Sequence, residues 1–140
     1  MSPKHSVSVA GIVIDGDRAL AIQRRDNGAW EPPGGVLEIE EAPTDGVARE
    51  VHEETGVTVA VGDLTGVYKN LARGIVALVF RCELTSGTPG PTDESVAVEW
   101  LTREQIIERV SPAYACRFLD ALDGTGAPAI RSHDGVQLVS

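Results

Sequence analysis

Basic residues are few: 12 lysines and arginines stand against 21 aspartates and glutamates, a formal net charge of −9. Such a chain is repelled by phosphate backbones unless its cations gather on one face, which disfavours an extended nucleic-acid contact. An acidic balance suits a site that loads cations, although acidic surfaces also serve solubility. Cysteine is scarce as well. Cys82 and Cys116 stand alone in apolar surroundings, with no C-x-x-C pair and no histidine cluster to suggest zinc or a redox centre, and read as buried reduced thiols. Long apolar runs are missing. The stretch Ile75 to Phe80 is far short of the roughly 20 residues of a membrane span, and Met1 to His5 lacks the apolar run of a signal peptide. The expected location is the cytoplasm, with no membrane partner.

What is present matches one domain over residues 1–140, because an apolar share of 42% supplies a core without a partner chain. The β-branched run Ser6 to Asp15, a turn at Asp15-Gly16-Asp17 and the run Ala19 to Arg25 read as two strands. The segment Trp30 to Gly35 reads as a shaped loop outside regular structure, since its prolines lack donors and its glycines tolerate unusual dihedrals. Pro43 fits the first turn of a helix that runs to Thr55 and ends at Gly56, with Ala42 as an N-cap that has no oxygen to offer. Further strands are expected at Val57 to Val61, Leu64 to Lys69, Gly74 to Leu84 and Val96 to Trp100, the first two separated by a turn at Gly62-Asp63. Thr102 caps a helix from Arg103 to Arg109, and Ser111-Pro112 opens another that ends at Gly124. This order is α/β with a mixed sheet between helices. The tail Ala127 to Ser140 offers either an edge strand or a contact for a second copy, and its His133 reads as a structural or exposed residue.

At about 100° per residue, Glu50, Glu53 and Glu54 share one edge of the first helix, while Val51 and Thr55 lie on a separate side. Like charges at these spacings repel, and only Arg49 is basic among them. A hard divalent ion relieves that crowding: Mg²⁺, or Mn²⁺ in its place, takes oxygen ligands from one or two carboxylates together with substrate phosphates. Taken alone, an E-x-x-E-E run is more often a solvated acidic face. Gly46, one turn before Glu50, leaves room for the preceding glycine loop to approach.

From Gly35 to Val57 the chain reads G-x5-E-x7-R-E-V-x-E-E-x-G-V, which resembles the Nudix box at each of its specified positions. The likeness extends outward through Arg24 and Trp30-x-x-Pro33-Gly34-Gly35, and later through Asp93-Glu94 to Val98-x-Trp100-Leu101. The resemblance implies a Nudix-type α/β/α sandwich and a MutT-like pyrophosphohydrolase that cuts a diphosphate linkage with divalent metal. It implies that Glu50, Glu53 and Glu54, helped by the main-chain carbonyl of Gly34, ligate metal, and that Arg49 orients the carboxylates. Gly35, Glu41 and Gly56 belong to the box as supporting positions. Glu41 supports that arrangement or binds a further ion through water, and a helix-start carboxylate explains it equally well. Glu40, Gly46 and Pro32 depart from common family usage without removing a ligand.

Around this centre, Arg24 ends a strand beside the glycine loop and is the candidate for gripping a phosphate, whereas Arg25 points to the other face and reads as solvated. Trp30 is either a base-stacking ring or a packing anchor. Lys69, Asn70 and Arg73 lie in a turn between strands and read as either substrate contacts or a solvated hairpin tip, the latter being the stronger reading. Glu94, in a loop long enough to swing in over the site, is the candidate general base, with Glu53 as the alternative. The substrate expected is a nucleoside triphosphate or another nucleoside diphosphate linked to X. The competing readings are a non-catalytic nucleotide sensor and an RNA cap pyrophosphohydrolase, the latter opposed by the net charge.

Overall fold

In the computed structural model, which describes residues 2–124 and 126–140, strand β1 (Ser6–Asp15) divides its side chains between two layers. Val9 and Val13 enter one core, Ala10 and Ile12 the other, the alternation a strand buried on both faces requires. Around it are β2 (Arg18–Arg24), β3 (Trp30–Glu31), β4 (Gly34–Val36), β5 (Thr58–Asn70), β6 (Ile75–Ser86), β7 (Ser95–Thr102) and β8 (Ala129–His133). The sheet runs β3-β2-β1-β6-β5-β8, with β4 added on β1 and β7 on β2. The pairs β1–β6 and β5–β8 are parallel and the others antiparallel, so the sheet is mixed, as expected.

Helix α1 (Pro43–Thr55) covers one face, burying Val47 and Val51 against Val9, Val13, Leu20, Val57 and Cys82. Helices α2 (Arg103–Arg109) and α3 (Pro112–Asp123) cover the other, where Ile106, Cys116 and Phe118 meet Ile12, Tyr68 and Leu101. Both cysteines are free and buried, and burial pushes the Cys82 thiol up to about 12. The helix limits follow local chemistry. Ala42 caps α1 without a side-chain hydrogen bond, Gly56 closes it in the left-handed region at φ +83°, and Thr102 forms a capping box with Gln105 on α2. Among the described residues, no helix is long and apolar enough to cross a membrane.

Three expectations change. The segment Trp30 to Gly35 holds regular structure on both sides of its prolines: Trp30–Glu31 pairs with β2, and Gly34 pairs with Ala10 of β1. Pro33 lacks a donor, yet its carbonyl accepts the Gly11 amide at 3.0 Å, so a proline at a strand end still serves the ladder. Gly62-Asp63 does not reverse the chain. Both flanking segments pair with β6, and the register shift between Val61 and Leu64 makes a bulge within one long strand. At Gly46 the neighbours are Leu37 and Glu41 rather than the glycine loop; a Cβ there would lie 2.8 Å from the Leu37 Cδ1. The tail forms β8, the edge-strand alternative, running parallel to β5.

Candidate active site

The edge of α1 beside its apolar stripe carries the carboxylates, and their environments differ. Glu50 and Glu54 are buried at 9% and 7% exposure, while Glu53 is exposed. One carboxylate oxygen from each of Glu50, Glu53 and Glu94 lies within 4.8 Å of the others. Glu54 reaches the glycine turn instead, where its Oε1 accepts the Gly34 amide at 2.8 Å. Gly35 lies so close to Glu50 that a Cβ would stand 2.6 Å from the Glu50 Oε1.

Arg49 ties this cluster together. Its Nε and Nη2 donate to the two Glu41 oxygens at 2.6 and 2.8 Å, and its Nη1 donates to Glu50 at 2.9 Å and to Glu53 at 3.4 Å. The fork geometry suits arginine, which presents parallel donors where lysine would offer a point charge. Glu41 is thereby placed as the anchor of Arg49, which holds its carboxyl below the usual carboxylate range.

The electrostatics match a cation site. Burial pushes Glu54 up to about 8 against the opposing Gly34 hydrogen bond, and the charges of Glu50, Glu31 and Glu94 add to the rise. Glu50 is raised by the same desolvation, with Arg49 opposing and Glu53 and Glu94 adding to it. Carboxyls crowded and desolvated in this way are short of positive charge. The donor set is oxygen alone, which fits Mg²⁺ or Mn²⁺ and excludes a thiolate or imidazole site. Glu50 and Glu53 of α1 are able to hold it, with a Glu94 oxygen within 4.8 Å of both, while one oxygen of Glu54 is engaged by the Gly34 amide.

Glu50, Glu54 and Glu94 border a cleft of about 280 Å³ lined also by Ile22, Arg24, Arg25 and Glu31. It shares Arg24, Asp26, Glu31 and Gly34 with a cavity of about 580 Å³ whose walls include Trp30, Pro32, Ile75 and Tyr114. Arg24 stands at the junction, bound at 2.8 and 2.6 Å to both oxygens of Asp26 and at 3.3 Å to Glu31. Trp30 lines the larger cavity while packing partly against the α3-side core.

Several residues were not foreseen. Arg25 is not simply solvated: its Nη2 donates to the carbonyls of Thr92 and Ser95 at 3.2 and 3.1 Å. The Ser95 hydroxyl donates to the Glu54 carbonyl at 2.8 Å, and the Gly90 amide donates to Thr55. Glu94 is held at the carboxylates by these ties and needs no swing of its loop to arrive. Arg73 and Asn70 line the larger cavity instead of forming a bare hairpin tip, and Tyr114 and Arg117 join them. Arg117 meets Tyr68 and His133 from β5 and β8, so no local signal marks it.

The model of the NUDIX domain matches residues 4–120. A MutT-like protein of Streptomyces ambofaciens is 61% identical over 98% of this chain and 89% of its own length. An ADP-ribose pyrophosphatase of Methanocaldococcus jannaschii is 31% identical over 68% of this chain and 60% of its own. The fold matches the crystal structure of a NUDIX hydrolase from Nitrosomonas europaea with a TM-score of 0.81 at 22% identity, over 95% of this chain and 82% of that one. The chain belongs to the Nudix family of hydrolases and is an enzyme of its pyrophosphohydrolase type.

Gly35→Ala is expected to cost about 10²-fold in turnover while leaving the unfolding midpoint nearly unchanged, because the added methyl displaces the Glu50 carboxylate rather than the backbone. Steady-state kinetics beside a thermal melt check the split.

Proposed function

We propose that the protein is a Mg²⁺-dependent hydrolase of the diphosphate linkage in a nucleoside triphosphate or another nucleoside diphosphate linked to X, working in the cytoplasm on small molecules. The observation that carries this reading is the approach of Glu50, Glu53 and Glu94 within 4.8 Å beside a cleft that shares a wall with a cavity of about 580 Å³. When bound there, Mg²⁺ supplies charge neutralisation and lowers the pKa of an attacking water. The chain does the rest. Arg49 fixes Glu50 and Glu53 relative to Glu41, Arg24 binds a phosphate oxygen at the junction of the two cavities, and Glu94 takes the proton of the attacking water. Trp30 supports one wall for the base.

A purely binding relative would not require Glu50, Glu53, Glu54 and Arg49 together, which argues against the sensor reading. The net charge of −9 argues against capped RNA. A product-release screen with Mg²⁺ over nucleoside triphosphates, nucleotide sugars, ADP-ribose and capped RNA tests all three: hydrolysis of a small nucleotide is expected, and turnover of capped RNA alone would overturn the assignment. Arg24→Ala is expected to raise KM about tenfold, with a smaller loss in kcat, since the guanidinium grips phosphate in ground and transition states alike. Unchanged kinetics would transfer that role to Arg73.

A further inference from the structure

The larger cavity contains a cation that the diphosphate chemistry does not use. Arg117 of α3 is 7% exposed, yet among the described residues no carboxylate comes within ion-pair distance of it. Its guanidinium lies between two rings, 4.5 Å from the Tyr114 centroid and 5.2 Å from that of Tyr68. The adjacent carboxylate, Asp120, is taken by the Tyr68 hydroxyl and by both arms of Arg131. Glu31 acts on Arg117 only at longer range and is itself paired with Arg24.

Arg117 is also short of acceptors. Its Nε is buried with no hydrogen-bond partner, and its Nη2 has only the Nε2 of His133, at 3.2 Å. That partner is compromised. The Gly135 amide donates to the Nδ1 of the same ring at 3.0 Å, and a neutral imidazole has one acceptor nitrogen and one N–H. Whichever nitrogen carries the proton, one donor faces another. His133 is fully buried, and burial together with Arg117 lowers its pKa, which keeps the ring neutral. A buried corner with this excess of N–H groups is built for an acceptor brought from outside.

The walls indicate what brings it. Trp30, Pro32, Ile75, Ala77 and Tyr114 offer apolar and aromatic surface suited to a flat ring, whereas the phosphate-directed groups lie in the adjoining cleft, which Arg117 does not line. A guanidinium pairs with the carbonyl oxygen and ring nitrogen of guanine, while adenine and cytosine present an amino donor at the corresponding edge. We infer that Arg117 is a specificity-determining residue that donates to a nucleobase carbonyl, so that the cavity takes keto bases, guanine or uracil, in preference to adenine or cytosine. The inference rests on the reading of the chain as a nucleotide hydrolase.

Calorimetric titration of the metal-free protein in chelator with GMP, AMP, UMP and CMP tests it apart from catalysis. GMP should bind about 5- to 150-fold more tightly than AMP, and UMP should be preferred to CMP in the same sense. Arg117→Met should reduce both preferences to within a few-fold and leave the binding of inorganic phosphate unchanged. Equal binding of GMP and AMP, a preference that survives Arg117→Met, or loss of phosphate binding in that variant would overturn the inference, the last by making Arg117 a phosphate site. If Arg117→Met does not fold, the base preference of the parent protein and its weakening in Arg117→Lys, which keeps the charge but not the fork, decide instead. Base preference without hydrolysis would sink only the hydrolase reading; hydrolysis without base preference would sink only this one.

Discussion

Glu53→Gln is expected to lower kcat by at least about 10²–10³-fold, the scale on which removing one preorganised electrostatic contact acts in an enclosed site. The substitution keeps size and shape and deletes one charge from the trio formed with Glu50 and Glu94. Stability should barely change. The Glu53 side chain is 41% exposed, its ion pair with Arg49 spans 3.4 Å, and exposed pairs of this kind contribute little to folding. Thermal melts of parent and variant should therefore coincide while Mg²⁺-supported turnover collapses. Glu108→Gln, on an exposed position of α2, is the control and should change neither. A Glu53→Gln variant as active as the parent would return the helix edge to an ordinary solvated face.

Glu94→Gln is expected to cost about 10²–10⁴-fold in kcat, the usual contribution of general-base assistance, with the Mg²⁺ concentration for half-maximal rate unaltered. Glu94 suits the role because it reaches the helix carboxylates from a separate segment, held by Arg25 and Ser95, and is not tied to Arg49. The Mg²⁺ titration separates base from ligand: if Glu94 instead ligates the ion, the variant will need more Mg²⁺ and recover much of its rate at saturation. A kcat within a few-fold of the parent, with Glu53→Gln inactive, would place the proton acceptor on α1.

The sequence discloses α1 and its carboxylates because every signal for them is local. Pro43, Gly56 and the spacing of Val47, Val51 and Glu50 act within one helix, and the helix observed is the helix they describe. Strand β5 is different. Gly62-Asp63 has the chemistry of a turn, and only the shared partner β6 turns it into a bulge. The supports of Glu94 are likewise invisible beforehand, since the bonds from Arg25 to Thr92 and Ser95 join residues 67 and 70 positions apart. Arg117 is the extreme instance. In the sequence it is one charge on a helix, and its burial arises from Tyr68 and His133, which reach it from β5 and β8.

The central claim is that a divalent ion held by the α1 carboxylates Glu50 and Glu53, with Glu94 beside it as the base, drives cleavage of a diphosphate bond. It is tested most directly by following hydrolysis of the best substrate before exhaustive chelation, after it, and after Mg²⁺ is restored, with circular dichroism recorded at each stage. Mg²⁺ held by a few carboxylates keeps much of its hydration and binds weakly, so activity should vanish with chelator and return in the millimolar range while the spectrum stays constant. Turnover that persists in the fully chelated protein would contradict the account.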